Sequence, residues 1–338
     1  MLADAQRTGP YRVGVTMPAS LAYWVDAAGQ GALHAVELPH PGDTDVDLQT
    51  QFSGISPGTE RLVGLGLVPS SSASAMACRG MRGSFALPIL YGYSLVGVVS
   101  GGALDGQRAF VMHPHQQRVI VPRATLVMLP PDVPSPRGTL LPNLETALNA
   151  TWDAELRAGE RIAVIGGGAV GLLLAFVLSA THRGEVVVVE AEAARRRFAA
   201  RLPWVRSAVA PEELTPGAFA VSFHATGTSR GLQLAIDALG FEGRVIELSW
   251  YGTRTVELQL GGTFHSERKR IVASQVGTVA ARHREAGFGA RTAAVLQLLR
   301  DPQLDALLQT PIAFARLPEF FSRLYRGEHS EPCPLVAY

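Results

Sequence analysis

The sequence predicts an α/β fold in which a β-rich first part is followed by a doubly wound parallel sheet. Three observations support this prediction. Up to about residue 147 the chain is rich in glycine, proline and short alternating runs, which are typical of strands joined by turns. From Thr146 onwards strand patterns alternate with helix patterns, as in a parallel sheet with helices on both faces. The 338 residues, 47% of them hydrophobic, suffice for two domains with their own cores.

The individual elements follow from the local pattern. In the first part the alternating runs predict strands at 46–52, 96–100, 109–113 and 118–121, and the proline-dense segment 122–142 is expected to be mostly connective. In the second part the pattern predicts strands at 161–165, 186–189, 218–224, 244–248 and 270–274. It predicts helices at 146–153, 169–179, 193–201 and 229–239, and two further helices at 290–299 and 317–325.

Composition excludes several classes of protein. There are 30 Lys+Arg against 29 Asp+Glu, and this near-neutral balance argues against nucleic acid or an anionic membrane as a partner. Two cysteines, Cys78 and Cys333, are too few for a disulfide framework or a four-cysteine zinc lobe, so we expect a reducing compartment, the cytoplasm. Lys269 is the only lysine and no GxxxxGK[ST] motif is present, which disfavours Schiff-base enzymes and P-loop NTPases.

Two uncharged stretches have nearly the length of a membrane span, at 83–104 and 162–181. The first contains Pro88 and five glycines, which indicate short strands and turns. The second starts with a β-branched run and three glycines, which indicate a strand, a turn and a buried helix. The first 20 residues lack the apolar run of a secretion signal, and we expect them to form a loose leader.

A glycine fingerprint lies between a predicted strand and a predicted helix. The sequence VIGGGAVG at 164–171 contains GxGxxG, in which Gly166 would allow a tight turn. Gly168 would let the backbone approach a pyrophosphate, and Gly171 would let the helix pack closely on the strand. The helix N-terminus offers N–H groups and partial positive charge to phosphates. The order of elements predicts a dinucleotide-binding Rossmann domain; a glycine turn used only for packing and a methyltransferase are the alternatives.

Glu190 ends the second strand about nineteen residues after the fingerprint, where an acidic residue binds the ribose diol. Its charge would repel a 2′-phosphate, so we expect NAD rather than NADP. Arg195, in the arginine run that follows, keeps NADP open because an arginine there can pair with that phosphate. A solvated helix face is the simpler interpretation of these arginines.

The motifs together resemble the medium-chain dehydrogenase/reductase superfamily. Besides the fingerprint, the matching segments are SGISPGTE at 53–60, YGYSLVG at 91–97, ETALNA at 145–150, HATG at 224–227 and GRV at 243–245. The stretch SGISPGTER is similar to the bacteriochlorophyllide dehydrogenase branch. The stretches YGYSLVGVV, LSWYG and GGTFHSERKRIVASQVGTV resemble bacterial alcohol-dehydrogenase-like proteins encoded near pterin-synthase homologues. The resemblance implies a GroES-like β-rich catalytic domain at 1–147, a Rossmann domain at 148–279, and a return segment at 280–338 that completes the catalytic domain.

The chain departs from the zinc-dependent members of this superfamily. They have Cys at the position of Ser56, His-Glu at the positions of Tyr93 and Ser94, and Cys or Asp near Pro142 or Asn143. A catalytic zinc site needs about three nitrogen, sulfur or carboxylate ligands, which these residues do not supply. We therefore expect no metal ligands here. A short-chain dehydrogenase is also disfavoured, because the residue four positions before Lys269 is His265 rather than the tyrosine of Tyr-x-x-x-Lys.

Without zinc, a hydrogen-bond donor must polarise the substrate carbonyl. Tyr93 is the first candidate, because the resemblance places it beside the reacting oxygen, and Thr59 lies where the superfamily often has a hydroxyl relay. Glu60 and Glu145 are candidates to orient such a relay. His113 and His115 lie at a predicted strand end, where alternate residues share one face. A substrate or proton-relay role for His115, metal binding by the pair, and a structural role all stay open, as does an approach of His265 to the cleft.

The resemblance also implies further cofactor-binding residues and a homodimer. They are Ala169 and Val170 in the fingerprint, Thr226 and Gly227 at the adenine–ribose side, Ser249, Trp250 and Tyr251 after the strand at 244–248, and Ser274 and Gln275 near the nicotinamide carboxamide. The homodimer would form by edge-to-edge pairing of the nucleotide-domain sheets, with strand 270–274 as the edge. Three functions fit: a zinc-independent NAD(P)-dependent oxidoreductase for a small polar carbonyl or alcohol, a metal-free quinone or enoyl reductase, and a non-catalytic NAD(P)H-binding protein.

Overall fold

A computed structural model describes residues 19–338 of the chain. Most of the expected leader, residues 1–18, lies outside the described residues, whereas Ala19 and Ser20 already belong to the first strand. The strands are β1 Ala19–Ala27, β2 Gln30–Glu37, β3 Asp45–Gly54, β4 Arg82–Gly83, β5 Ile89–Leu90, β6 Leu95–Ser100, β7 Arg108–Val111, β8 Arg118–Pro122, β9 Val127–Met128, β10 Ile162–Ile165, β11 Val186–Val189, β12 Ala208–Val209, β13 Phe219–His224, β14 Leu239–Glu247, β15 Arg270–Ala273, β16 Ile312–Ala313 and β17 Leu335–Ala337.

The helices are α1 Pro57–Gly64, α2 Ala73–Met76, α3 Ser135–Gly138, α4 Leu141–Asp153, α5 Ala169–Thr181, α6 Ala193–Ala199, α7 Ser229–Asp237, α8 Thr263–Ser266, α9 Gly287–Leu298 and α10 Leu317–Arg326. Short 3-10 helices lie at Ser70–Ser72, Gly102–Leu104, Arg123–Thr125, Pro211–Glu213, Ala281–His283, Pro302–Leu307 and Phe314–Arg316. No helix among residues 19–338 is both long and apolar enough to cross a membrane. The stretch 162–181 forms β10 and α5 instead.

The predicted fold class is confirmed: a parallel sheet with helices is combined with antiparallel sheets. The strands of the parallel sheet lie in the order β12-β11-β10-β13-β14-β15. Its first crossover packs α5 on β10 and β11, and the residues of α5 from Gly171 to Leu178 are buried. A β-branched strand, a glycine turn and an apolar helix thus produce the start of a doubly wound sheet, as the sequence predicts.

The β-rich part forms two largely antiparallel sheets. One has the strand order β2-β1-β5-β4, and the other has β16-β17-β3-β6-β7-β9, with β8 also pairing β3. Because β17 pairs with β3, the end of the described chain returns to a sheet built from its first part. The boundaries 1–147, 148–279 and 280–338 stay predictions. Helix α4 runs across the first of them, and Val295 and Leu299 pack in one core with residues of β10 and α5.

Several predicted elements need correction. The strand predicted at 109–113 ends at Val111, because the chain turns away at the His113-Pro114 segment, where proline supplies no backbone donor. The helix predicted at 193–201 ends at Ala199. The segment 122–142 is not simply connective, since it contains β9, α3 and the start of α4, with Pro136 and Pro142 in first helical turns where proline is tolerated.

Candidate active site

A cleft of about 1120 Å³ lies along the carboxyl ends of the parallel strands and is closed on one side by α1. Crevices at this edge of a doubly wound sheet are where such folds bind ligands. Most predicted cofactor-binding residues share this cleft. Those that line it are Gly166, Gly168, Ala169, Val170, Glu190, Arg195, Thr226, Gly227, Ser249 and Trp250. From the β-rich part, Ser56, Thr59 and Arg61 line the same cleft.

Glycine suits each of the three fingerprint positions for a different physical reason. Gly166 has a φ of +116°, and a Cβ there would lie 3.0 Å from Thr226 Cγ2. A Cβ on Gly171 would lie 1.9 Å from the carbonyl oxygen of Gly166, so only glycine allows the helix to pack on this turn. A Cβ on Gly168 would meet no protein atom within 4 Å. The space above Gly168 therefore belongs to the cleft, at the N-terminus of α5.

Glu190 is held beneath the fingerprint turn. Its carboxylate accepts hydrogen bonds from the N–H groups of Gly167 and Glu192, both at 2.8 Å, and the residue is only 8% exposed. Helix α6 follows directly, and Arg196 donates to the carbonyl oxygen of Glu190 at 2.9 Å. Arg195 lines the cleft and pairs with Glu192 at 2.6 Å. The acidic group expected at the end of the second strand is thus fixed in position by backbone donors.

A second, small pocket of about 10 Å³ lies beside the cleft. Ser56, Tyr93, Ser94 and Asn143 line it together with Cys333, whose pKa is raised to about 12 by burial. Ser56 also lines the main cleft, so it lies at the junction of the two cavities.

Tyr93 is partly buried and stacks edge-on against Tyr91, with ring centroids 6.2 Å apart. Burial raises the pKa of Tyr93 above its ordinary value, the Glu60 carboxylate raises it further, and hydrogen bonding to Ser56 and Thr59 opposes this shift. Because its phenol stays protonated at neutral pH, Tyr93 is suited to donate a hydrogen bond or a proton and unsuited to act as a phenolate base.

A buried hydrogen-bonded chain lies behind this group. Glu60 accepts from the backbone N–H of Ser56 at 2.7 Å, and its other oxygen is 2.9 Å from Nε2 of His115. Nδ1 of His115 is 2.7 Å from the hydroxyl of Ser53, which is 2.9 Å from that of Tyr338. Glu60 and His115 are 4% and 1% exposed, so the pair compensates a carboxylate taken out of water.

Comparison with known proteins agrees with this architecture. (R,R)-butanediol dehydrogenase of Bacillus subtilis (strain 168) is 27% identical over 230 residues, 63% of this chain and 62% of that protein. The match thus spans about three fifths of the length of this curated relative. The crystal structure of 2R,3R-butanediol dehydrogenase from Bacillus subtilis superposes with a TM-score of 0.74 at 19% identity, covering 94% of this chain and 99% of that one. No protein-family model matches the chain.

A second solved structure shows the same fold with a nucleotide bound. It is a protein assigned as a zinc-binding dehydrogenase from Sinorhizobium meliloti 1021, bound to NADP. It superposes with a TM-score of 0.75 at 18% identity, covering 95% of this chain and 100% of that one. These comparisons show the fold and agree with the resemblance to the medium-chain dehydrogenase/reductase superfamily. The branch within this superfamily stays a prediction.

The residues at the superfamily's zinc positions do not fit that metal. Ser56, Tyr93 and Asn143 place a hydroxyl, a phenol and an amide in one small pocket, and Cys333 adds a single thiol. A catalytic zinc needs about three thiolate, imidazole or carboxylate ligands, which this set does not supply. Among residues 19–338 no three His, Cys, Asp or Glu side chains are grouped so that they could hold a metal ion. The donor chemistry at these positions therefore disagrees with a catalytic zinc.

A nicotinamide dinucleotide does fit the residues present. The free space above Gly168, the helix N-terminus behind it and the fixed carboxylate of Glu190 are the features that this superfamily uses to hold the pyrophosphate and a ribose.

Some predicted site residues lie elsewhere. Glu145 accepts from Thr292 at 2.6 Å and faces Arg291 at 3.7 Å, and it lines neither of the two pockets. Because Glu145 lies on α4 and faces α9, it links these two helices and does not lie beside the cleft. Gln275 accepts from the N–H of Gly277, and Ser274 donates to Asp153, and neither residue lines the cleft. His265 is exposed on α8 and does not line it either.

The histidine pair is not arranged as a shared metal face. His113 and His115 both follow the end of β7, so the alternation of side chains along a strand does not apply to them. Nδ1 of His113 is 3.1 Å from the carbonyl oxygen of Pro114, while His115 is bound by Glu60 and Ser53. Burial lowers the pKa of His113 to about 4, and the hydrogen bond to Pro114 opposes this shift.

Sequence reasoning missed Ser53 and Tyr338, and it also missed the pairing of buried His224 with partly buried Glu247 in the nucleotide-binding part. These two residues end the neighbouring parallel strands β13 and β14 and are register partners. The sequence does contain a signal for this pair: each of two consecutive predicted strands has a polar residue at its carboxyl end. Such ends meet at the ligand-binding edge of a parallel sheet.

Proposed function

We propose that this chain is a zinc-independent, NAD(P)-dependent oxidoreductase that transfers hydride between nicotinamide and a small polar carbonyl or alcohol substrate. The observation that carries the proposal is the cleft shared by the fingerprint turn and the segment 56–61. One wall has the backbone geometry that grips a dinucleotide, and the other places Ser56, Thr59 and the neighbouring Tyr93 beside it. A bound nicotinamide dinucleotide would supply or accept the hydride.

The chain's own groups would handle the proton. Tyr93, whose pKa is raised, holds a proton on its phenol oxygen and can donate it to an oxygen that gains negative charge. Ser56 and Thr59 lie near this phenol and lower its pKa, whereas the charge of Glu60 raises it. This polar surrounding favours a carbonyl or alcohol over a quinone, which would need an apolar slot. Glu190 favours NAD, while the position of Arg195 in the cleft leaves NADP as the alternative.

We also propose that the protein works in the cytoplasm as a homodimer with a small-molecule substrate. Both cysteines are free thiols, which fits a reducing compartment. The edge strand β15 is exposed along its whole length, including Ile271 and Val272, which fits pairing with a second copy.

The test combines binding, turnover and metal analysis. Titration with NADH and NADPH should show saturable binding, and a panel of small polar carbonyls should show oxidation of the reduced cofactor. Tyr93→Phe should lower kcat/KM by about 100-fold with little change in NADH affinity, because general acid catalysis typically contributes that much. Elemental analysis should find no stoichiometric zinc. Absence of dinucleotide binding, or retained activity of Tyr93→Phe, would contradict the proposal; binding without turnover on any substrate would favour the non-catalytic alternative.

A further inference from the structure

The small pocket beside the main cleft has room for about one oxygen atom. Its volume of about 10 Å³ is close to the least that holds a single water molecule. Ser56 lines both this pocket and the main cleft, so a molecule that lies in the cleft can reach the pocket from there. Such a molecule can place one oxygen in the pocket while the rest of it stays in the cleft.

The wall of this pocket is polar but uncharged. Within residues 19–338, those that line it include no Asp, Glu, Lys, Arg or His. The thiol of Cys333 stays neutral near pH 7, because burial raises its pKa to about 12. The hydroxyl of Ser94 donates to a backbone carbonyl oxygen at 2.7 Å, which leaves it no proton for a ligand. The side chains that can still donate a hydrogen bond into the pocket are Ser56, Tyr93 and Asn143.

Asn143 has an amide group that the fold does not use. Farther along α4 the side chains of Thr146 and Asn149 are hydrogen-bonded within the helix. The half-buried side chain of Asn143, by contrast, has no hydrogen-bond partner among residues 19–338. The start of α4 also forms one side of the pocket, since Leu140, Pro142 and Asn143 all line it. The positive end of the helix dipole lies there and favours negative charge on a bound oxygen.

Tyr93 supplies the other donor. Burial raises the pKa of its phenol, and the nearby hydroxyls of Ser56 and Thr59 oppose this shift. Both hydroxyls can donate to the phenol oxygen, which leaves the phenol proton free for a ligand. The amide of Asn143 can turn its NH2 group towards the same ligand atom. Asparagine and tyrosine side chains are among the donors from which oxyanion holes are built.

We propose that this pocket holds the reacting oxygen of the substrate, and that Asn143 is a second catalytic residue, which donates a hydrogen bond to that oxygen alongside Tyr93. This inference rests on the proposed function and deepens it. The pocket takes a single oxygen and carries no cation to pair with an anionic group. It therefore fits the oxygen of an aldehyde, a ketone or an alcohol rather than a carboxylate.

The two donors have different parts in the reaction. When the carbonyl carbon accepts a hydride, the C=O electron pair moves to the oxygen, which both donors stabilise as its negative charge grows. The phenol proton of Tyr93 then forms the O–H bond of the alcohol, so that NADH is oxidised and the carbonyl is reduced. Water in the cleft, which Thr59 lines, returns a proton to the phenolate. Asn143 keeps its protons throughout.

A binding experiment with isobutyramide tests the inference without turnover. This amide has a carbonyl oxygen with partial negative charge, and NADH does not reduce it. A crystal structure of the protein with NADH and isobutyramide should place that oxygen in the small pocket, within hydrogen-bond distance of Tyr93 and Asn143. Calorimetric titration should show that the NADH complex of Asn143→Ala binds isobutyramide about fivefold to tenfold more weakly, the usual worth of one hydrogen bond.

Asn143→Asp distinguishes a hydrogen-bond donor from a merely structural side chain. It keeps the size of the side chain but replaces the NH2 group with a charged acceptor oxygen. If Asn143 donates to the reacting oxygen, isobutyramide affinity and kcat should both fall in Asn143→Ala and fall further in Asn143→Asp. With the best carbonyl substrate of the panel, kcat of Asn143→Ala should fall about 100-fold with little change in KM. A structural role predicts that Asn143→Asp resembles the unaltered protein.

Gln297→Glu is the matched control for this series. It makes the same change from amide to carboxylate at an exposed residue of α9 that lines neither of the two pockets. Its isobutyramide affinity and kcat should equal those of the unaltered protein. Thermal unfolding of every variant checks that it is folded.

The outcomes separate this inference from the function on which it rests. If the unaltered protein reduces a carbonyl and Asn143→Asp keeps the same kcat, the inference is wrong and the proposed function stands. An isobutyramide oxygen outside the pocket, or an NADH complex that does not bind isobutyramide, overturns the inference in the same way. If the unaltered protein binds neither NADH nor NADPH, or turns over no carbonyl, both proposals fail.

Discussion

The two walls of the cleft depend on different kinds of chemistry. On the nucleotide-binding wall the decisive atoms belong to the backbone: a turn at Gly166, a close approach at Gly171 and open space at Gly168. On the opposite wall the decisive atoms belong to side chains, Ser56, Thr59 and Tyr93. Backbone geometry requires glycine at fixed spacings, whereas side chains can be exchanged without changing the fold. The comparison explains how the dinucleotide fingerprint is kept while the residues at the superfamily's metal positions differ.

The strongest test of this contrast uses two alanine substitutions within the fingerprint. Gly171→Ala places a Cβ 1.9 Å from a carbonyl oxygen, so we expect a loss of roughly 3 kcal/mol or more in the free energy of unfolding and loss of NADH binding. Gly168→Ala meets no protein atom and should change that free energy by less than about 0.5 kcal/mol while still weakening NADH binding. Chemical denaturation and NADH titration measure the two effects. Equal stability of the two variants would show that the glycines do not have separate roles.

A second test concerns strand β15, the exposed edge of the parallel sheet. Val272→Lys on β15 should convert a dimer to a monomer, because a charge at an exposed edge opposes strand pairing between copies. Light scattering after size-exclusion chromatography measures the mass. Met112→Lys, at an exposed apolar residue of the β-rich part, should leave the oligomeric state unchanged. A monomeric unaltered protein would contradict the proposed assembly.

A smaller effect is expected from His113, a buried histidine in the β-rich part that lines neither of the two pockets. The pKa of His113 is lowered to about 4 from an ordinary 6.5, so the unfolded chain binds its proton at higher pH than the folded protein. The stability linked to His113 is complete above pH 6.5 and is lost as the pH falls towards 4, by roughly 3 kcal/mol in total. His113→Gln should flatten the fall in unfolding free energy over this range. An unchanged slope would show that His113 does not carry the titration.

The parts that sequence predicts best are those whose signals are local. The run from β10 through α5 to β11 combines a β-branched strand, a glycine turn and an apolar helix, and each step constrains the next. Strands β1 and β2 were not predicted, because β2 is mostly exposed or half-buried and shows no clean alternation. Its partner β1 gains its place through pairing with β2 and β5, which local patterns do not report.

The residues of the candidate site also divide into those with a local signal in the sequence and those without one. Glycines and Glu190 were found because their spacing along the chain encodes the site. The pairing of Glu60 with His115 joins residues 55 positions apart, and that of His224 with Glu247 depends on strand order in the sheet. Glu145 is the converse case: its type and position in the sequence suit catalysis, but the facing helix α9 supplies Thr292 and Arg291 as partners. Only tertiary packing decides between such uses of a carboxylate.

One contact joins the walls directly. The N–H of Thr253 donates to the carbonyl oxygen of Leu67 at 3.0 Å, and a Cβ on Gly252 would lie 2.3 Å from that same oxygen. The loop that follows β14 and carries Ser249 and Trp250 is therefore tied to the segment after α1. Any widening of the cleft to admit or release a nucleotide has to break this hydrogen bond or pull the loop along. Relative motion of the two walls would therefore act on the loop that carries Ser249 and Trp250.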